Sequence, residues 1–148
     1  KLRTKIPDIT IRTTFLTGFP GESAADFKEL MVFVNKTKFG RMGAFAYSPE
    51  EGTAASRYPN RPSDRTVKNR VEELMFAQND IIHNANVKFI GKTVKVIVDE
   101  IVDGVHICRT ERDAPEVDCV LIAKSIKAAP GEFRTVKVKE AIGLDLYS

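Results

Sequence analysis

Thr17-Gly18-Phe19-Pro20-Gly21-Glu22 is the stretch of this sequence whose residue types best suit holding a ligand. It follows residues 9–17 (ITIRTTFLT), a β-branched and aromatic run that suits a pleated strand. Two glycines and a proline stop that strand. Glycines there let a ligand approach the backbone, and a helix starting just after them offers free N–H groups. The carboxyl end of a strand is also where α/β folds bind ligands. The same residues serve equally well as a tight strand-to-helix turn, and both readings stay open. No Lys-Ser or Lys-Thr follows the glycines, so this is not a phosphate-binding P-loop. Ser48-Pro49-Glu50-Glu51-Gly52-Thr53 occupies the same end of the next predicted strand. Glu50 and Glu51 are acids or bases by type, but as neighbours in a polar turn they read as solvated.

The remaining candidates lie in the second half. Cys108 and Cys119 fall on neighbouring predicted strands and read as small buried residues, with a disulfide or metal role as the alternative. Two cysteines alone cannot complete a four-thiolate zinc or iron–sulfur site, and His83 and His106 are not at ligand spacing from them. His106 is expected as an exposed imidazole on a strand, and His83 at the border of a helix's apolar stripe. Residues 109–118 (RTERDAPEVD) form a dense charged stretch, read as a ligand-contacting loop or as a solvated connector with internal ion pairs. Pro115 favours a defined shape for it.

The elements that must position these residues follow from periodicity. Ser23 is placed to cap a helix, with Asp26 as the reciprocal capping-box residue. Phe27, Leu30, Met31 and Val34 then recur at helical spacing, and Gly40 ends the unit. Residues 41–47 form the next strand, residues 58–63 a proline-bearing linker, and residues 64–86 the longest helix. Its apolar stripe is Val67, Val71, Leu74, Met75, Ile81, Ile82 and Ala85. This βαβα order is the repeating unit of a parallel α/β sheet or barrel. Two parallel strands cannot close into a barrel, so this half is expected to be the end of a larger domain. From Gly91 the period becomes two. Residues 93–102 and 105–110 flank Asp103-Gly104, a strong hairpin signal. Further strands are predicted at residues 117–123, 133–140 and 142–147, giving a small five-stranded OB-like barrel. The expected fold class is therefore α/β plus all-β, with domains at residues 1–87 and 88–148.

The 148 residues are 43% hydrophobic and 29% charged, a globular balance that excludes a disordered chain. No run approaches the roughly 20 apolar residues of a membrane span, and no targeting segment is visible after Lys1. With only two cysteines, the reducing cytosol is the default compartment, so a cytoplasmic setting is expected. The absence of an initiator methionine leads us to expect an excised part of a longer protein. The net charge of +3 lies entirely in residues 1–87, with 13 basic and 10 acidic side chains. Residues 88–148 hold 10 of each.

The residues quoted above carry a resemblance. Residues 11–22 (IRTTFLTGFPGE) and 45–53 (FAYSPEEGT) are similar to the closing strands of a radical S-adenosylmethionine methylthiotransferase. Residues 88–148 resemble that family's TRAM domain, and residues 112–118 (RDAPEVD) are similar to its branch that modifies a ribosomal protein. The resemblance covers essentially the whole chain, in order. It implies the C-terminal part of a TIM-like radical barrel followed by TRAM, and methylthiolation of an aspartate in a small-subunit ribosomal protein. It also implies S-adenosylmethionine and two iron–sulfur clusters in the whole enzyme. One cluster is held by three cysteines of an N-terminal domain and the other by Cys-x3-Cys-x2-Cys; neither motif is in this sequence. These 148 residues alone are therefore expected to be inactive and to bind no cofactor tightly. The wall of the cofactor pocket would come from Thr17, Gly18, Phe19, Pro20 and Gly21, with Tyr47 and Ser48. Arg109, Arg112, Asp113 and Glu116 would contact the substrate protein or ribosome. A tRNA substrate, or a separate OB-like module binding RNA or the ribosome, are the alternatives. The zero net charge of residues 88–148 favours a protein substrate over tRNA, because phosphate contacts dominate nucleic-acid affinity.

Overall fold

A computed structural model describes residues 1–124 and 126–148. The chain divides into two compact units, residues 1–81 and 82–148.

The first unit is a βαβ arrangement. A short helix α1 (Leu2–Lys5) precedes strand β1 (Arg12–Thr17), helix α2 (Ala24–Thr37) and strand β2 (Arg41–Ala46). β1 and β2 are parallel and in register from Arg12–Arg41 to Thr17–Ala46. Ser23 and Asp26 form the expected capping box at the start of α2, each side chain accepting from the other's backbone amide. The helix ends at Thr37, before Gly40, because Lys38 takes the left-handed cap conformation at φ +50°. Helix α3 (Asp64–Val87) begins beside Ser63, whose hydroxyl accepts from the Thr66 amide at 3.2 Å. Phe27 and Val34 of α2, Phe39, Met42 and Ala44, and Leu74 of α3 make one core. Gln78 is fully buried on α3 and donates to the Phe39 carbonyl at 3.2 Å, fastening the helix to the chain leading into β2.

The second unit takes the last residues of α3 and six strands: β3 (Thr93–Val102), β4 (Val105–Thr110), β5 (Leu121–Ala123), β6 (Phe133–Lys137), β7 (Glu140–Ile142) and β8 (Asp145–Tyr147). They form one sheet in the order β6-β3-β4-β5-β8-β7. All pairs are antiparallel except β5–β8, which is parallel. The β3–β4 hairpin turns at Asp103-Gly104, both at positive φ as a primed turn requires. A register shift between Val98 and Glu100 bulges β3.

Curling follows from the connections. The two edge strands, β6 and β7, are joined only by Val138 and Lys139. Laid flat, six strands put these edges about 24 Å apart. Three Cα steps reach about 11 Å at most. The sheet must therefore curl, which places Val96, Val98, Cys108, Leu121, Ala123, Val136, Val138 and Leu146 in one interior.

Two expectations change here. Six strands replace five, because residues 133–140 switch partners after Lys137, from β3 to β8. The strand expected over residues 117–123 is only Leu121–Ala123. Ahead of it the Asp118 carboxylate accepts from the Ala114 amide at 2.6 Å, and the Asp145 carboxylate takes the Val120 amide at 2.9 Å. The Asp145 side chain thus satisfies an amide, that of Val120, which a longer strand would pair with its neighbour.

Candidate functional site

The carboxyl ends of β1 and β2 bring most of the glycine-rich loop's residues together. Tyr47 donates its amide to the Thr17 carbonyl at 2.8 Å. Its ring meets Phe19 edge-on at 5.1 Å between centroids, and Phe19 meets Tyr58 at 6.3 Å. Thr17 is fully buried, Pro20 half-buried, and Phe19, Gly21 and Ser48 exposed. The Gly21 amide donates to the Asn60 carbonyl at 3.0 Å, closing the loop onto the linker. Glu50 and Glu51 are exposed in the polar turn after β2, as the sequence indicates.

The loop's shape requires glycine at position 18. Gly18 has φ +88°, and a Cβ there would lie 2.4 Å from a Val67 methyl of α3. The Glu22 carboxylate then ties the loop down. Its Oε1 accepts from the Thr17 hydroxyl at 2.7 Å and from Arg70 at 2.5 Å, and its Oε2 accepts from the Gly18 amide at 2.8 Å. Arg70 also lies over the Phe27 ring, 5.2 Å from its centroid. The sequence motif alone assigns no role to Glu22, and none to Arg70, Tyr58 or Asn60. Arg70 carried a signal: it is a cation at i+3 from Val67 and i−4 from Leu74, inside an apolar stripe. A charge at such a position needs a buried partner.

The second unit handles its four expected substrate residues differently. Arg109, on β4, pairs with Asp99 of β3 at 2.9 Å. Arg112 donates to Asn86 at 3.1 Å and stacks on Phe89, 4.2 Å from the ring centroid. The Asp113 carboxylate accepts from the Thr110 amide and hydroxyl, so it shapes the turn after β4. Glu116 is exposed at φ +62°. Arg109 and Arg112 line two grooves of about 240 and 210 Å³ that share Lys95, Thr110 and Glu111. Phe133 stands in the first, under the Lys95 ammonium at 4.5 Å, and Phe89 in the second.

Both cysteines are unbridged. Cys108 lies in the interior, where burial first and the nearby Asp99 charge second push its thiol up to about 11. His106 is a correction: it is buried, with Nε2 3.2 Å from the Ala128 carbonyl. It points inward because it shares a face with Cys108 and Thr110, two and four residues on. His83 is exposed, with Nδ1 3.1 Å from the Gly143 carbonyl. Among the described residues no group of three His, Cys, Asp or Glu could hold a metal ion. No helix among them is long and apolar enough to cross a membrane.

Known proteins bear on these features. The TRAM domain family matches residues 90–148. The ribosomal protein uS12 methylthiotransferase RimO of Clostridioides difficile is 44% identical over 147 residues, covering 98% of this chain and 33% of that protein. RimO of Desulforamulus reducens is 43% identical over 150 residues, covering 99% and 34%. RimO of Chlorobaculum tepidum is 40% identical over 148 residues, again 99% and 34%. The chain thus spans about a third of the length of the curated relatives it matches. Over 98–99% of its length it is similar to the C-terminal third or so of ribosomal protein uS12 methylthiotransferases, and residues 90–148 match the TRAM domain.

Proposed function

We propose that this chain is the C-terminal part of a radical S-adenosylmethionine methylthiotransferase acting on an aspartate of a small-subunit ribosomal protein, in the cytoplasm. Residues 1–87 supply the last strands of its βα barrel and the connecting helix. Residues 88–148 are the TRAM domain that recognises the substrate. The observation that carries this reading is the identity of 40–44% to uS12 methylthiotransferases, spread over 98–100% of the chain. The parallel β1–β2 pair, with a glycine loop at its carboxyl end, is what the end of such a barrel requires.

The loop's chemistry fits S-adenosylmethionine. Phe19 and Tyr47 offer aromatic surface for a nucleobase. The Tyr47 hydroxyl is buried with no partner, and nothing stands within 4 Å of where a Gly21 Cβ would be. Phe19, Gly21 and Tyr47 would hold the cofactor, with Thr17, Gly18, Pro20 and Ser48 shaping the wall. The chemistry supplied by that cofactor when bound, with a reduced cluster, is abstraction of hydrogen from the target carbon. This chain's residues do not fit an iron–sulfur cluster, since Cys108 is sealed in the barrel interior and Cys119 lies outside it in the loop before β5. Cluster binding therefore belongs to the part of the relatives' length outside these residues.

On substrate, the balanced charge of residues 88–148 supports a protein partner, contacted by Arg109, Arg112, Asp113 and Glu116. One observation favours contact with RNA instead: the two grooves set Phe89 and Phe133 among Lys95, Arg109 and Arg112. Aromatic rings among cations suit stacked bases. The test is to reconstitute the complete reading frame with its clusters and give it small ribosomal subunits and tRNA. A methylthio group on a ribosomal-protein aspartate, read by mass spectrometry, is expected. Its appearance on a tRNA base alone would overturn the reading.

A further inference from the structure

We infer that Arg70, in the connecting helix, is a positioning residue for the Thr17–Gly21 loop and acts through Glu22. The inference rests on the reading above only for what the loop holds. Its basis is the geometry of α3. Val67 and Arg70 stand one turn apart on the helix face turned to the loop. Val67 fills the space that a Gly18 side chain would need, so it fixes the loop by contact. Arg70 fixes it by charge.

The Glu22 carboxylate, with its side chain 15% exposed, is the hub of this arrangement. It accepts three hydrogen bonds, two of them from the loop's first residues, Thr17 and Gly18. A carboxylate at that depth keeps its inward placement when a cation stands beside it. Arg70, with its side chain 9% exposed, is that cation, and it donates again to the Glu22 carbonyl at 3.4 Å. Its guanidinium is held over the Phe27 ring, so its own direction is set by α2. Without Arg70 the Glu22 side chain is driven toward water, and Thr17 and Gly18 lose the acceptor that orients them. The outward neighbour, Phe19, then loses its fixed placement against Tyr47. A lysine at position 70 keeps the charge but not the planar fork, so it should restore part of the effect.

The test compares Arg70→Met, Arg70→Lys and Glu22→Gln. In the 148-residue chain, hydrogen exchange at the Gly18 amide should speed at least tenfold in Arg70→Met and less in Arg70→Lys. Exchange in the second unit serves as the internal control. Gly18 exchange unchanged in both Arg70→Met and Glu22→Gln overturns the inference. In the reconstituted complete enzyme, Arg70→Met should raise KM for S-adenosylmethionine at least tenfold with a smaller change in kcat, and Arg70→Lys should recover part of it. Faster Gly18 exchange with KM unmoved leaves Arg70's positioning role supported and removes instead the assignment of the loop to the cofactor.

Discussion

Gly18→Ala should destabilise the first unit by about 2–5 kcal/mol, and its combination with Val67→Ala should cost less than the two singles added together. Two terms add. Gly18 sits at φ +88°, where a side chain costs about 1–2 kcal/mol. The new Cβ would also lie 2.4 and 2.8 Å from the Val67 methyls, against an ordinary carbon separation of about 3.5–4.0 Å. Overpacking of that size costs about 1–3 kcal/mol. Val67→Ala alone should cost about 2 kcal/mol, because Val67 is only 2% exposed and leaves a cavity. In the double variant both methyl overlaps vanish, and the Val67 Cβ remains at 3.2 Å. The conformational term persists, so the pair should cost about 1–3 kcal/mol less than the sum of the singles. Hydrogen exchange at the Val34 and Leu74 amides, both in fully buried residues of that unit's core, reads the opening free energy. Single costs that add to within about 0.5 kcal/mol would refute the contact argument, and a Gly18→Ala cost below about 1 kcal/mol would refute both terms.

Acid should weaken the start of α2. The Ser23 hydroxyl, and then its backbone amide, hold the Asp26 carboxyl below its ordinary 3.8. A depressed pKa stabilises above the unfolded value and loses that contribution as pH falls through the folded one. Asp26→Asn should flatten this acid limb in a helix-monitored titration from pH 5 to pH 2. In base the barrel behaves oppositely: Cys108 is raised to about 11 from 9.0, so its contribution is complete below pH 9.0 and lost as pH rises toward about 11. At pH 8 a thiol reagent should label Cys119 first and reach Cys108 only as the barrel opens; equal labelling rates would contradict its sealed position. Asn86→Ala should cost the second unit about 1–3 kcal/mol by denaturant unfolding. It removes the 2.7 Å bond from Nδ2 to the Leu144 carbonyl and strips Arg112 of its Oδ1 acceptor.

Local chemistry made much of the first unit legible. The Ser23–Asp26 box, the parallel strand pair and the α3 stripe each rest on residues close in sequence, where spacing decides the outcome. Asp103-Gly104 placed its hairpin for the same reason. What escaped depends on distant partners. Nothing near residues 117–120 reveals that the Asp145 carboxylate, 25 residues on, takes the Val120 amide. Nor does alternation over residues 133–140 show that the chain changes partner midway, since Val136 and Val138 both face inward. His106 shares its face with Cys108, two residues on, so the buried cysteine carries the imidazole inward with it. At the loop, the glycines were visible, while the Glu22–Arg70 pair spans 48 residues.

The two-residue join between β6 and β7 has a consequence for how the second unit is made. β5 finds its outer neighbour only in β8, near the end of the sequence, and the Ser148 amide still donates to the Ile122 carbonyl. During synthesis residues 82–123 emerge before the strands that complete the second unit's sheet. Until residues through Tyr147 emerge, β5 presents an open edge and the interior stays wet. Long-range pairing of this kind is slow and exposes sticky surface meanwhile. Loss of residues 145–148 should therefore leave the second unit unclosed.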